Sequence, residues 1–122
     1  MKKSISRAVS FPRRGWGRRR RSSWGSLHPF RGKSGYRFTV ENSVYVHPDH
    51  QRTGVGSTIL VDQIERAKQL GLHVIVAGID AEQEASLALH YKHGFREVGR
   101  FPQVGYKFER WLDAVFMQLT LQ

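Results

Sequence analysis

Three observations predict an α/β domain. The run Ser43-Val44-Tyr45-Val46 is rich in β-branched and aromatic residues, the composition of a strand. Beyond the closely spaced glycines Gly54 and Gly56, residues Ile59, Leu60, Ile64, Ala67 and Leu70 recur at helical spacing. A second strand-like run and a second helical pattern follow, and the chain closes on two further strand-like runs.

The elements follow in order. Residues 38–46 read as a strand, and residues 47–51 as a loop turned by Pro48. Residues 54–70 read as a helix ended by Gly71, because glycine at that place adopts the left-handed cap without steric cost. A strand is expected over 72–78, then a helix over 82–93 ended by Gly94. Strands are expected over 95–104 and 111–121, with a loop around Lys107 between them. No internal repeat is visible.

The charge divides the chain in two. Residues 1–34 hold 11 Lys and Arg and no Asp or Glu, whereas the rest hold nine basic and ten acidic residues. The net +10 of the 122 residues therefore belongs to a basic arm, and residues 35–122 form a nearly neutral domain. High charge with little apolar content predicts a disordered arm. Its Arg run with Trp16 and Trp24 fits non-specific nucleic-acid binding, an organelle transit segment, or a solvated tail without a role. A fourth reading is an out-of-frame segment. If Arg13 through Arg21 use C-G-N codons, reading one base later gives Val, Ala, Asp, Glu or Gly codons.

With no cysteine, disulfides, thiolate metal sites and a cysteine nucleophile are excluded, and a reducing cytoplasm fits. The longest apolar run, Val74-Ile75-Val76-Ala77, falls far short of the ~20 residues that cross a bilayer, so no membrane partner is expected. His47 with His50, and His90 with His93, lack a third ligand at recognisable spacing, so no metal is expected.

The candidate site is Gln51-Arg52-Thr53-Gly54-Val55-Gly56. A strand that turns through glycines into a helix exposes unpaired backbone N–H groups at the positive end of the helix dipole. Such a start binds phosphate or pyrophosphate. Taken alone, the same spacing also marks a plain turn.

The segment 36–56 as a whole resembles the acetyl-CoA-binding core of the GNAT acetyltransferases, in the phosphinothricin N-acetyltransferase branch. The resemblance continues through Ala77-Gly78-Ile79-Asp80-Ala81-Glu82, Ala88-Leu89-His90, Gly94-Phe95, Gly105-Tyr106-Lys107-Phe108 and Arg110-Trp111-Leu112-Asp113, and so covers residues 35–122. It implies a mixed twisted sheet with flanking helices, the N-terminal strands and helices of the fold being missing or replaced. It implies acetyl transfer from acetyl-CoA, as co-substrate, to the amine of a small amino acid such as phosphinothricin or a methionine derivative. The reaction is direct, without an acyl-enzyme. A homodimer is implied as well.

The resemblance also assigns roles. Gln51, Arg52, Thr53, Gly54, Val55, Gly56 and Ser57 would cradle the pyrophosphate, and Val44, Tyr45 and Val46 would line the pantetheine arm. Gln83 would contact the cofactor where the family usually has asparagine. Glu41 would be the base that deprotonates the amine. His90 stands where most of the family has a tyrosine that protonates the departing thiolate. Arg37 and Tyr106 would meet a polar or anionic group of the substrate. His93 replaces an apolar residue before Gly94-Phe95.

Overall fold

The computed structural model describes residues 23–121. They form a five-stranded mixed sheet and two α-helices. The strands are β1 (Trp24–Pro29), β2 (Thr39–Tyr45), β3 (Val74–Asp80), β4 (Arg96–Lys107) and β5 (Arg110–Thr120). The helices are α1 (Val55–Gln69), between β2 and β3, and α2 (Glu84–Lys92), between β3 and β4. The sheet order is β1-β2-β3-β5-β4, with β2 and β3 parallel and the other pairs antiparallel. The crossover through α1 is what lets β2 and β3 run parallel.

The boundary expected at residue 34/35 falls too late. Trp24–Pro29 is a full strand, in register from Trp24↔Tyr45 to Pro29↔Val40. Leu27 is buried in the core, and the Ser23 hydroxyl is buried between His50 and the His47 amide. Charge composition misled here, because the arginines stand before and after this strand and not in it. The nucleic-acid, transit-segment and out-of-frame readings of residues 1–22 lie outside the described residues.

Both helices end as glycine caps. Gly71 (φ 75°) follows α1, and the Leu72 amide bonds back to the Ala67 carbonyl at 3.0 Å. Gly94 (φ 100°) follows α2, and the Phe95 amide bonds back to the His90 carbonyl at 3.0 Å. In each case the six-to-one bond satisfies a carbonyl that the helix leaves over. The core lies between the sheet and the helices and includes Val40, Leu60, Ala67, Ile75, Ala77, Phe95, Val115 and Met117.

Two short segments differ from expectation. Residues 48–50 form a 3-10 turn begun by Pro48. The loop around Lys107 is a two-residue reversal, Phe108-Glu109, both residues left-handed (φ 54° and 60°). Two positive φ values in a two-residue hairpin match the right-handed strand twist, although Asn-Gly is the usual sequence for them.

Candidate functional site

The site begins with a fork in the sheet. β2 pairs with β3 only from Thr39↔Val74 to Asn42↔Ala77. Beyond that point Ser43, Val44 and Tyr45 stay with β1, while Gly78, Ile79 and Asp80 stay with β5. The edge of β2 facing β3 is thus left without a strand partner. A cleft of about 820 Å³ opens there, lined by Glu41 through Val46, Gly78 through Asp80 and the starts of both helices.

Helix α1 starts at the mouth of this cleft. Gly54 (φ 88°) is its N-cap, no side chain caps it, and its first turn holds no acidic residue. The first intrahelical bond runs from Thr58 to the Gly54 carbonyl, so the N–H groups of residues 55–57 have no partner within the helix. Gly56 is needed for room, since a Cβ there would stand 3.1 Å from Leu89 Cδ2 and 3.3 Å from Val46 Cγ2. Before the helix, Arg52 holds a left-handed φ of 62°, which a side chain of its size rarely adopts.

The residues singled out in the sequence fall into two groups. Glu41, Val44, Tyr45, Val46, Gln51, Arg52, Gly54, Gly56, Ser57, Gln83 and His90 all line the cleft. Thr53 and Val55 lie between lining residues, and the Thr53 hydroxyl is turned back onto the His50 carbonyl. Gly78 makes space for the base candidate, because a Cβ there would come within 3.3 Å of Glu41 Oε2. A glycine inside a strand pattern is the sequence signal of such a close approach.

Arg37 and Tyr106 are not brought to the cleft. The Arg37 guanidinium bonds the Ser34 carbonyl at 2.7 Å and lies over the Phe38 ring. Tyr106 packs on Trp111 across the β4–β5 hairpin, with ring centroids 4.7 Å apart. Consecutive strand residues face opposite ways, so it is the neighbouring Lys107 that lines the cleft.

His90 reaches the cleft but is engaged on both sides of its ring. It is 2% exposed, with Nδ1 2.8 Å from the Ser86 carbonyl and Nε2 3.1 Å from the Asn42 amide nitrogen. Burial, more than the neighbouring charge of His93, pushes its pKa below the usual histidine value, against the opposing pull of the Ser86 bond. A neutral ring with Nδ1–H donating and Nε2 accepting satisfies both contacts. That arrangement leaves no ring proton free for a thiolate.

Sequence reasoning missed the partners of this ring. Asn42 also donates to Gln63 Oε1 at 3.1 Å, and Gln63 Nε2 donates to the Ser26 and Ser43 carbonyls at 3.1 and 2.9 Å. Asn42 between Val40 and Val44 on one strand face, and Gln63 beside Ile59, Leu60 and Ala67 on one helix face, were the available signal. His93 bonds Ser57 through Nε2 at 3.0 Å, which accounts for a polar side chain where the helix meets the core. Among the described residues no group of three His, Asp or Glu side chains converges.

A parallel strand pair forked over an uncapped, glycine-started helix defines the acyl-CoA N-acyltransferase class of fold. The sequence profile of the Acetyltransferase (GNAT) family matches residues 22–95, and the chain belongs to that family. Over 100 residues it is 50% identical to the L-amino acid N-acyltransferase MnaT of Escherichia coli K12, covering 82% of this chain and 58% of that protein. It is 43% identical to the phosphinothricin N-acetyltransferase of Alcaligenes faecalis, covering 75% of this chain and 47% of that one. Among solved structures, an acetyltransferase of Salmonella typhimurium with its cofactor acetyl-CoA superposes with a TM-score of 0.79 at 48% identity, covering 82% of this chain and 58% of that chain. The chain thus spans about half the length of these relatives.

Proposed function

We propose that this chain is an acetyl-CoA-dependent N-acetyltransferase for the amino group of a small amino acid, such as phosphinothricin or a methionine derivative. The fork carries this reading, because the free edge of Ser43–Tyr45 and the uncapped start of α1 share one cleft. The backbone N–H groups of residues 55–57, with Arg52 beside them, suit the pyrophosphate. The β2 edge suits the amides of the pantetheine arm, with Gln83 on the opposite wall.

Bound there, acetyl-CoA would supply a thioester whose carbonyl carbon is open to attack by an amine. The chain's own residues would do the rest. Glu41 takes the proton that the ammonium must lose before its nitrogen can attack. A backbone N–H of the free β2 edge stabilises the developing charge on the acetyl oxygen, worth about 3 kcal/mol for a well-placed donor. His90, already accepting from Asn42 and donating to the Ser86 carbonyl, does not act as the resting acid. The leaving sulfur, with a conjugate acid near a cysteine's pKa of about 8.5, takes its proton from water in the open cleft. Lys107, on the cleft wall with Glu41, is the group we assign to the acidic end of the substrate.

We also propose a cytoplasmic homodimer. The β4–β5 hairpin leaves Phe101, Val104, Tyr106, Phe108 and Trp111 more than half exposed, large apolar side chains that a second subunit would cover. Light scattering reporting a monomer at micromolar protein would remove the dimer.

The test is calorimetric titration of the purified chain with acetyl-CoA, followed by an amino-acid panel in which released CoA is read by a thiol reagent. The protein contributes no thiol of its own. Micromolar binding and substrate-dependent thiol release are expected. Folded protein that gives no heat sinks the reading, and binding without release reduces it to a binding module.

A further inference from the structure

We propose that Gln63 is a positioning residue of this site: pinned by two backbone carbonyls, it fixes the Asn42 amide, which in turn fixes His90 as a hydrogen-bond acceptor at the fork. The inference deepens the acetyltransferase reading and rests on it for the word "site", but the polarity it assigns is a property of the chain alone.

The argument is one of donors and acceptors. The carbonyls of Ser26 on β1 and Ser43 on β2 can only accept, and both lie within 3.1 Å of Gln63 Nε2. That nitrogen must therefore be the amide NH₂, which leaves Gln63 Oε1 pointing at Asn42. Facing an acceptor at 3.1 Å, Asn42 must present its own NH₂ there. The same nitrogen stands 3.1 Å from His90 Nε2, so Nε2 must accept. The remaining ring nitrogen, Nδ1, then carries the proton and gives it to the Ser86 carbonyl at 2.8 Å. Every link has one allowed direction, set from both ends: by the β1 and β2 carbonyls on Gln63 and by the Ser86 carbonyl on the ring.

Turning the Asn42 amide over would set its oxygen against Gln63 Oε1 and against the Nε2 lone pair. Two acceptor–acceptor contacts in a buried site would cost more than the orphaned oxygen of the present arrangement. Asn42 Oδ1 is indeed buried without a partner, which is the penalty this orientation accepts. Turning Gln63 over as well would put its oxygen against two carbonyls. All three side chains are buried, at 5%, 3% and 2% exposure, so water cannot easily relieve a reversed link.

The groups packed on the ring leave this assignment intact. Phe95 presents an edge at 4.9 Å between centroids, α1 offers neutral Gln63, β2 offers neutral Asn42, and the charge acting from α2 is that of His93. No carboxylate among the described residues bonds the ring, and a carboxylate is what would favour the imidazolium.

Long-range ¹H–¹⁵N correlation of the histidine rings tests this on the unliganded chain, with His90 assigned by its loss in His90→Gln. The expected spectrum has Nδ1 protonated and Nε2 bare at neutral pH. Nε2–H, or a charged ring, in the unsubstituted protein overturns the proposal without any further variant. Gln63→Met keeps the shape and removes the relay. Its His90 should titrate at higher pH, because Asn42 is then free to turn its oxygen toward Nε2–H while the Ser86 carbonyl still holds the Nδ1 proton. A folded Gln63→Met protein whose ring stays unchanged would reduce Gln63 to packing and sink the idea. In the transfer assay the same variant should lose roughly tenfold or more in kcat with little change in KM for acetyl-CoA. The ring nuclei are read without co-substrate, so an inactive chain with the expected tautomer would fail the functional reading and leave this one standing.

Discussion

Near the fork, the two wings of the sheet are sealed against their helices by different chemistry, although one apolar cluster runs beneath both. The β3–β5–β4 wing is closed by apolar side chains, with Ile75, Ala77, Val115, Met117 and Phe95 packed in one cluster. In the β1–β2 wing the seam near the fork is polar: Ser26, Asn42, Gln63 and His90 are buried and bonded to one another or to backbone. Apolar contact is strong but has no direction, and it tends to close any gap. Hydrogen bonds have direction, and here they tie β1, β2, α1 and α2 together on one side of the gap. The comparison teaches that the wing bearing the free edge carries a polar frame, while the closed part of the sheet does not.

Several substitutions would break or sharpen this contrast. The largest effect is expected at Glu41, on the open side of the fork. Glu41→Gln should lower kcat for acetyl transfer on the order of 10²–10⁴-fold while leaving acetyl-CoA affinity near its original value, checked by thiol release and calorimetry. In the apolar wing, Phe95→Ala empties a fully buried ring position and should cost about 3–5 kcal/mol in chemical denaturation. In the polar wing, Gly25→Ala should cost about 1–3 kcal/mol by the same measurement. A Cβ there would fall 2.5 Å from Ile59 Cγ2 and 2.6 Å from Gln63 Nε2, and the latter is tied down by two carbonyls.

A smaller effect distinguishes the wings by pH. His90 in the folded chain has a lowered pKa, so the unfolded chain takes up a proton first as pH falls. Its contribution is fully present above the unfolded value of about 6.5 and is lost as pH drops from there through the folded value. Thermal melts should fall over that window, and the fall should shrink in His90→Gln. If the two proteins lose stability in parallel, the ring is not the group responsible. The smallest effect is expected at the hairpin, where Glu109→Gly relieves a left-handed side-chain position, a penalty of roughly 1–2 kcal/mol, against the entropy glycine loses on folding, and should raise the melting temperature slightly.

Much of this was legible before any coordinates. Hydrophobic period and glycine placement located both helices and four strands, because those signals are local. Gly54, Gly56 and the run 43–46 marked one side of the cleft for the same reason. What was not legible depends on strands meeting at a distance. Gln63 lies on α1 in the middle of a helical pattern, and only the approach of Gly25 and Ser43 shows why it is not a surface residue. Arg37 looked like a substrate contact by its position in the chain, yet it stands before the start of β2, and the cleft opens beyond the other end of the β2–β3 pairing. Strand β1 was concealed by its basic neighbours, and its buried residues, Gly25 through Leu27, form a block with no two-residue alternation to read.

The Phe108-Glu109 turn has a consequence for the order of folding. Neither residue favours the left-handed geometry it holds, and Phe108 is 80% exposed, with only the neighbouring Lys107 ammonium near its ring among the described contacts. Such a turn cannot nucleate its own hairpin. The strands must impose it, with Asp113 already gripping the bulge through the Gln103 amide at 2.9 Å and β5 already aligned on β3. The outer hairpin is therefore expected to zip from its base toward its tip, late in folding, and its tip to be the first part of the sheet to open.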